Sequence, residues 1–360
     1  MDEAHRVSRR GHDFRPAYLG LADAAKALGR PPILALTATS PPQVTEDVIR
    51  QLGLVDPVVV STGIERENLL FEVRECAEAA DKEAALLDAL REAGGAAVVY
   101  CATIRAAIEV HDRLADAGVS AELYHGKRRA PDREEAQRRF MSGDAAAMVA
   151  TSAFGMGIDR ADIRLVAHWN FPDSVETYYQ EAARAGRDGE PAHALLLYRA
   201  EDRRIQTFFM SGRYPTRAEL RATWSALERA GTQPMPAKKI AAEAGLTDRR
   251  AQVAISLLRT LGVAERRGGG FRKTRDFASA EEWERFLSSC ERRAELDRDR
   301  LRAIVRYAQT ALCRMQAIRA FFGEDAGKPC GHCDNCRDRP GVAAEVLRAE
   351  AEADARPGLG

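Results

Sequence analysis

The strongest constraint on the fold is a regular alternation of short apolar segments with amphipathic segments between residues 64 and 212. Apolar strands are predicted at LLFEV, AAVVYC, AELYH, AAMVAT, LVAHWNF and AHALLLY, and helices at 103–117, 131–142, 174–185 and 201–211. This alternation is typical of a mostly parallel sheet that carries helices on both faces. Residues 64–212 therefore predict one complete α/β domain.

Residues 1–63 show the same alternation with fewer elements. The predicted elements are two helices and two short apolar strands, at 16–29, 40–52, ILALT (33–37) and VVVST (58–62). Two strands are too few to close a covered parallel sheet. We therefore expect this stretch to be the second half of a similar domain, whose first half precedes Met1.

Residues 213–278 lose the alternation and become helical and basic. From 216 to 275 there are 13 lysines and arginines against 5 acidic residues, a net charge of +8 in a chain of zero net charge. PAKKIAAEAGLTDRRAQVAISLLRTLGV predicts a helix, a turn and a second helix capped by Thr247, and AERRGGGFRKT predicts two short strands. This pattern is typical of a winged helix that binds DNA, with Arg249 and Arg250 beginning the second helix. A small helical spacer is the alternative.

Four of the seven cysteines lie close together in the sequence. Cys330, Cys333 and Cys336 have C-x2-C-x2-C spacing, and Cys313 lies upstream on an amphipathic helix predicted over 281–322. In a cytosolic chain, clustered cysteines indicate a metal site rather than disulfides. Four thiolates in tetrahedral geometry favour Zn²⁺. An iron–sulfur cluster is the alternative, because ferredoxin motifs open with the same spacing.

The first residues are charged and show no signal-peptide pattern, and the apolar runs are shorter than the roughly 20 residues that span a bilayer. We therefore expect a soluble cytoplasmic protein that makes no membrane contact. The predicted organisation is a half domain, a complete α/β domain, a winged-helix-like module, a helical metal-binding module and a tail, at 1–63, 64–212, 213–278, 279–340 and 341–360.

Two sets of residues have the chemistry that nucleotide hydrolysis needs. DEAH at 2–5 supplies two acids, of which Asp2 can hold Mg²⁺ and Glu3 can orient the attacking water. Arg184 and Arg187 are spaced i, i+3 on one helical face, which suits contact with a γ-phosphate across a cleft between domains. An isolated DEAH or arginine pair could equally be a solvated surface.

Two further segments lie where strands are predicted to end. ALTATS at 35–40 contains Thr37 and Thr39, which could relay the state of the nucleotide to a neighbouring domain. In TSAFGMGID, Gly155 and Gly157 allow close backbone approach to phosphate or nucleic acid, and Asp159 follows them.

Taken in order along the chain, the motifs are DEAH, GHDFRPAY, LTAT, VVYC, YHG, ATSAFGMGID and QEAARAGRDG. They resemble the motifs of the RecQ family of ATP-dependent DNA helicases, in superfamily 2, over nearly all of residues 2 to 337. The C-x16-C-x2-C-x2-C spacing, with FFGE before it, also resembles that family's zinc module. The resemblance implies two RecA-like lobes with ATP and Mg²⁺ between them, and 3′→5′ movement on single-stranded and partly duplex DNA in repair or recombination.

The resemblance also implies roles for individual residues. The implied catalytic residues are Asp2, Glu3, His5, Arg184 and Arg187. The two arginines resemble the family's motif VI arginines, one of which is the arginine finger. The implied nucleotide-binding residues are Asp2, Gly157, Asp159, Gln180, Arg184 and Arg187. The implied zinc ligands are Cys313, Cys330, Cys333 and Cys336. DNA contacts are expected from Arg10, His12, Phe14 and Arg15 in a loop at 8–18, from Thr37, and from Arg249 and Arg250.

The sequence departs from the family pattern at three places. Arg10 stands where the family has a tryptophan, and a guanidinium stacks on bases less strongly than an aromatic ring. Ala183 stands where the family has glycine, and its methyl group could crowd a close helix contact. The helix-turn-helix pattern precedes Cys313, whereas the usual family order places the winged helix after the zinc module.

No G-x-x-x-x-G-K-[ST] stretch occurs in the 360 residues, so the loop that cradles nucleotide phosphates is missing from them. Two hypotheses follow. The chain is part of a RecQ-type helicase whose remaining motor half lies upstream, or it is a non-catalytic, zinc-stabilised DNA-binding protein with a remnant motor lobe. On either hypothesis we expect residues 1–360 alone to hydrolyse no ATP at a meaningful rate.

Overall fold

The computed structural model describes residues 1–8, 20–37, 40–155, 158–202 and 214–338. The chain divides into two compact units. The sheet unit combines residues 1–203 with residues 300–360, and the winged-helix unit comprises residues 204–299.

A six-stranded sheet forms the centre of the sheet unit. Its strands are all parallel and pair in the order β1-β6-β5-β2-β4-β3. They are β1 Leu69–Glu75, β2 Ala96–Tyr100, β3 Ala121–Tyr124, β4 Ala147–Ala150, β5 Ile163–His168 and β6 Ala192–Tyr198. The interior strands β2 and β4 are buried along their whole length, as expected for a sheet covered on both faces. The predicted parallel α/β architecture is confirmed.

Four helices connect these strands. They are α3 Ala79–Ala93, α4 Ile104–Asp116, α5 Ala130–Ser142 and α6 Val175–Ala182. Their starts follow local sequence signals: the Thr103 hydroxyl accepts a hydrogen bond from the Ala106 N–H at 2.9 Å, and the Ser174 hydroxyl accepts one from the Thr177 N–H at 3.0 Å. Of the helix predicted at 201–211, the part from residue 203 lies outside the described residues.

Residues 1–63 contribute helices but form no strand within their described part. A 3₁₀ turn at Ala4–Val7 packs against α2 Pro42–Leu52, and α1 Leu21–Ala27 covers part of the predicted helix at 16–29. The strands predicted at 33–37 and 58–62 are wrong. Extended backbone becomes a strand only beside a hydrogen-bonding neighbour. Among the described residues, the first segment makes backbone hydrogen bonds with Met1 and Ala4 but pairs with no strand. The apolar side chains of both segments are exposed, to 89% at Val58.

The winged-helix unit has the predicted helix-turn-helix and hairpin. Its elements are α7 Arg217–Ala230, α8 Ala237–Ala244, α9 Asp248–Thr260, β7 Ala264–Arg267 and β8 Gly270–Lys273. Gly245 ends α8 at a φ of +67°, in the left-handed region that favours glycine, and Thr247 caps α9. Trp224, Ile255 and Leu258 lie in a buried core that joins the three helices.

The helix predicted at 281–322 is wrong as a single element. It divides into α10 Ala280–Gln309 and α11 Arg314–Phe321, and α12 Asp334–Asp338 follows. The Arg314 guanidinium donates hydrogen bonds to the carbonyl oxygens of Tyr307 at 2.7 Å and Thr310 at 3.4 Å. These bonds occupy carbonyls at the end of α10 and stabilise the turn before Cys313. No helix in the described ranges is long and apolar enough to cross a membrane.

A charge cluster on the edge strand β1 makes one pH-dependent prediction. Glu72 accepts hydrogen bonds from Arg74 at 2.9 and 2.7 Å, and His193 Nε2 lies 3.0 Å from its other oxygen. Burial raises the pKa of Glu72, but the bonds with His193 and Arg74 outweigh burial and lower the pKa to about 2. A depressed folded pKa means that the stabilisation is complete above about pH 4.5 and is lost as the pH falls towards 2.

We therefore expect Glu72→Gln to lower the denaturant midpoint of the sheet unit near neutral pH. The loss should shrink steadily as the pH falls below about 4.5. Glu75→Gln, which changes an exposed acid at the end of the same strand, is the matched control and should have little effect. A loss for Glu72→Gln that does not change with pH contradicts the assignment.

Candidate functional site

The DEAH box lies on the 3₁₀ turn at Ala4–Val7. Ala4 is buried against α2, while Asp2 is exposed. Asp2 Oδ1 accepts a hydrogen bond from the Glu3 N–H at 2.8 Å, and His5 Nδ1 lies 3.2 Å from Glu3 Oε2. The box therefore presents its two acids at the surface on a turn whose apolar side is anchored.

A hydrogen bond connects the DEAH box to the LTAT segment. His5 Nδ1 lies 3.0 Å from Thr37 Oγ1, although 32 residues separate them. Thr39 lies outside the described residues. The contact couples the two segments, because movement of one changes the hydrogen bond made by the other.

The two motif VI arginines hold the backbone of the loop that follows β4. Arg184 Nη1 donates to the Gly155 carbonyl at 2.6 Å. Arg187 Nη1 donates to the Ile158 carbonyl at 3.1 Å and to Asp159 Oδ1 at 3.0 Å. A β-carbon at residue 155 would lie 3.0 Å from Arg184 Nη2, so glycine keeps this approach open. The structure thus brings together Arg184, Arg187 and Asp159; Gly157 lies outside the described residues.

The turn between the two arginines depends on Gly186. Its φ is +59°, and a β-carbon there would lie 2.5 Å from Asn68 Nδ2 and 2.8 Å from the Glu190 carbonyl oxygen. Asn68 and Arg66 donate to the Gly186 carbonyl at 2.7 and 2.6 Å. Sequence reasoning missed this pair, and the only local signal is a polar stretch directly before β1.

Ala183 and Gln180 occupy ordinary positions at the end of α6. Ala183 has a φ of −66° in the right-handed helical region and is half-buried, so alanine fits there without backbone strain. Gln180 is half-buried on the same helix. The methyl group at residue 183 therefore needs no special accommodation in this conformation.

Buried polar contacts fix α6 against the sheet. His168 Nε2, at the end of β5, lies 2.9 Å from Glu181 Oε2, and both residues are buried. The Tyr100 hydroxyl donates to the Phe154 carbonyl at 2.9 Å, and burial raises the pKa of this phenol well above its usual range. Such contacts cost stability if one partner is removed. The first contact holds α6 against β5, and the second holds the loop after β4 against β2.

The four cysteine sulfurs form a metal-sized cluster. The Sγ atoms of Cys313, Cys330, Cys333 and Cys336 all lie within 4.8 Å of one another. Tetrahedral zinc with Zn–S bonds near 2.3 Å places sulfurs about 3.8 Å apart, and Cys313 and Cys333 lie 4.0 Å apart. The donor set therefore fits Zn²⁺.

Backbone amides prepare the cluster for negative charge. The Cys330 N–H donates to Cys313 Sγ at 3.2 Å, and the Arg314 N–H donates to Cys333 Sγ at 3.4 Å. Hydrogen bonds from the Cys330 and Cys333 side chains lower the pKa of Cys313, while its hydrogen bonds with Cys313 and Cys330 raise the pKa of Cys333. His332 Nδ1 lies 2.9 Å from the Cys330 carbonyl oxygen. The two amide hydrogen bonds favour negative charge on the sulfurs of Cys313 and Cys333.

The predicted DNA-contact residues fall into two groups. Arg10, His12, Phe14 and Arg15 lie outside the described residues. At the start of α9, Arg249 is exposed and Arg250 is half-buried. Arg250 Nε donates to Glu219 Oε1 at 2.8 Å and so joins α9 to α7.

The basic residues of the winged-helix unit also fall into two groups, those that form ion pairs within the unit and others that are exposed. Of the 13 cations in residues 216–275, at least six pair with acidic side chains: Arg217, Arg229, Arg250, Arg272, Lys273 and Arg275. The other seven are all exposed: Arg221, Lys238, Lys239, Arg249, Arg259, Arg266 and Arg267. Part of the positive charge counted in the sequence therefore stabilises the unit itself.

Comparison with known proteins matches two parts of the chain to family models. Residues 81–189 match the helicase conserved C-terminal domain, and residues 273–337 match the RecQ zinc-binding domain. The ATP-dependent DNA helicase RecQ of Bacillus subtilis is 32% identical over 98% of this chain. The chain belongs to the RecQ family. The matched regions contain the two motif VI arginines and all four cysteines of the cluster.

Other RecQ-family relatives match with different coverage. ATP-dependent DNA helicase Q5 of Mus musculus is 41% identical over 58% of the chain, and RecQ of Pasteurella multocida is 28% identical over 94%. The chain spans 46% of the Bacillus relative, 22% of the mouse relative and 42% of the Pasteurella relative. The chain thus spans less than half the length of each of these relatives.

The metal site yields a direct prediction. We expect the purified chain to contain one zinc ion and Cys313→Ala to lose it, because one thiolate of four is removed. Cys76→Ala removes a buried thiol outside the cluster and should retain the metal. Elemental analysis measures the metal content, and the visible absorption spectrum detects iron–sulfur clusters. Iron with a brown colour contradicts the zinc assignment.

Proposed function

We propose that this chain is the part of an ATP-dependent 3′→5′ DNA helicase that contains its second motor lobe, acting on single-stranded and partly duplex DNA in repair or recombination. The observation that supports it most is the placement of Arg184 and Arg187. Both lie directly after α6 in a RecQ-family chain, and both contact the loop that leaves β4. Ligands of open parallel sheets bind beyond the carboxyl ends of the strands, which is where this loop begins.

In the proposed mechanism each residue has a limited task. Asp2 holds Mg²⁺, and Glu3 orients the water that attacks the γ-phosphate. One guanidinium, of Arg184 or Arg187, stabilises the charge that develops on the transferred phosphoryl group. Mg²⁺, when bound, would neutralise phosphate charge. The cradle for those phosphates has to come from sequence outside residues 1–360.

The same contacts suggest how ATP and DNA are coupled. Arg184 and Arg187 now hold carbonyl oxygens at 155 and 158, so turning towards a γ-phosphate would release that loop. The loop is part of the ATSAFGMGID segment, which we propose contacts DNA or phosphate. The His5–Thr37 contact would pass a change at the DEAH box towards residues 8–18, which we expect to contact DNA.

A second candidate function is non-catalytic DNA binding. It is supported by the helix-turn-helix and wing of residues 217–273 and by exposed cations on them, among which are Lys238, Lys239 and Arg249. Helices of this type bind DNA with the residues of their first turns, where Arg249 lies. This function does not depend on a phosphate cradle, so it remains if the motor is inactive.

The motor proposal is tested on the full reading frame that contains these residues, including any in-frame sequence upstream. We expect a phosphate-binding loop there and DNA-stimulated ATP hydrolysis. Alanine at the finger residue, Arg184 or Arg187, should lower kcat by about 10³-fold or more. Arg138→Ala, which breaks an exposed ion pair with Glu135 on α5, is the control. The absence of both the loop and the ATPase activity contradicts the motor and leaves the second function.

The DNA-binding proposal separates the two arginines of α9. Arg249→Ala should weaken binding to duplex DNA and reduce the salt slope by about one, as for the loss of one phosphate contact. Arg250→Ala should chiefly lower the melting temperature, because it breaks the bond with Glu219. Arg229→Ala is the charge-matched control, since that side chain pairs with Glu243. Unchanged affinity in the Arg249→Ala/Arg250→Ala double variant contradicts the proposal.

A further inference from the structure

Helix α6 is buried more completely than a surface helix of a parallel sheet. Tyr178 is fully buried, and Tyr179 is only 5% exposed. On the sheet side, the Phe71 ring of β1 lies 6.1 Å from the Tyr178 ring and 6.3 Å from the Tyr179 ring. The His168–Glu181 contact lies on this side as well. The sheet therefore contacts α6 through both tyrosines and through Glu181.

The helices of the zinc module contact the same two tyrosines. The Tyr307 ring of α10 lies 5.1 Å from the Tyr178 ring, and the two hydroxyl oxygens are 3.4 Å apart. The Phe322 ring, directly after α11, meets the Tyr179 ring edge-on at 5.7 Å. Aromatic contacts at these distances add specific orientation to apolar burial. Helix α6 is thus held between the sheet and the zinc module.

A buried ion pair connects Tyr307 to the metal cluster. Arg314 directly follows Cys313, and Asp334 directly follows Cys333. Their side chains meet at 2.9 Å, and both are less than a tenth exposed. Arg314 also donates to the Tyr307 carbonyl at 2.7 Å and lies over the Tyr307 ring. The distance between two zinc ligands therefore determines where Tyr307 lies.

The backbone connects α6 to the arginines. The Ala183 N–H donates to the Tyr179 carbonyl at 2.8 Å, and the Arg184 N–H donates to the Glu181 carbonyl at 3.2 Å. The main chain of Arg184 is therefore hydrogen-bonded to the last turn of α6. A shift of Tyr178 or Tyr179 would move the origin of this side chain.

We propose that the zinc module positions the motif VI arginines, with Tyr307 and Arg314 as positioning residues. Zinc fixes Cys313 relative to Cys333, the Arg314–Asp334 pair fixes Tyr307, and Tyr307 and Phe322 fix α6. This inference rests on the proposed function of Arg184 and Arg187. It concerns where they are held, however, and this can be measured in the 360-residue chain without ATP.

Hydrogen exchange of the whole chain, followed by mass spectrometry, tests the proposal. We expect amides within 178–187 to exchange about tenfold faster or more in zinc-loaded Tyr307→Ala, because local opening costs less. Tyr307→Phe keeps the ring and should restore slow exchange. Removal of zinc with a chelator should speed exchange in the same peptides, while β2 at Ala96–Tyr100 stays protected.

Gln309→Ala is the matched control. Gln309 lies on the same helix as Tyr307 and donates to the Tyr198 hydroxyl of β6 at 2.7 Å, but this bond does not involve α6. Its loss should leave exchange at 178–187 unchanged. Zinc content is measured for every variant, and Phe322→Ala replaces Tyr307→Ala if the latter does not retain zinc.

Unchanged exchange at 178–187 in the zinc-loaded variant overturns the proposal. If chelation also speeds exchange in β2, the chelation result reports general unfolding. The proposal is then judged only by comparing exchange in Tyr307→Ala and Gln309→Ala. Equal effects of these two variants also overturn it, since they would indicate a general loosening of α10. Faster exchange combined with normal ATP hydrolysis by Arg184→Ala and Arg187→Ala in the full reading frame would contradict only the catalytic role.

Discussion

The buried ion pair between Arg314 and Asp334 is the interaction on which the sheet unit most depends. Each partner follows a zinc-ligating cysteine, and Asp334 also accepts a hydrogen bond from the Val73 N–H of the edge strand at 2.9 Å. Breaking a buried pair of this kind costs about 3–5 kcal/mol, because one charge is left without compensation. This one pair of side chains therefore contacts the cysteine cluster, the break between α10 and α11, and the edge strand β1.

This arrangement packs the RecQ zinc module against the six-stranded sheet rather than leaving it as a separate domain. The edge strand β1 is covered by α12, and α6 lies between the sheet and the zinc helices. The two motif VI arginines leave α6 on a turn that requires Gly186 and is clamped by Asn68. Residues from four distant parts of the sequence thus determine the position of two guanidinium groups.

How far the sequence predicted the structure depends on whether the deciding contacts are local. Short sequence patterns were enough to predict the strands at 96–100 and 147–150, the helix-turn-helix and the cysteine cluster. The predictions of strands at 33–37 and 58–62 were wrong because a strand needs a hydrogen-bonded neighbouring strand. The local sequence pattern does not show whether such a strand is present. The break before Cys313 depends on the contacts of Arg314. The role of Asn68 was not predicted because it lies 118 positions before its partner Gly186 in the sequence.

The central claim is that zinc, the zinc helices and the sheet form one cooperative structure. It is tested by denaturing the zinc-loaded chain while zinc release and the fluorescence of Trp169 are recorded together. Trp224 and Trp283 are replaced by phenylalanine so that only the sheet unit reports. We predict coincident transitions for the two signals, as for a single cooperative unit. Zinc release at lower denaturant, with Trp169 still in its native environment, would contradict the account.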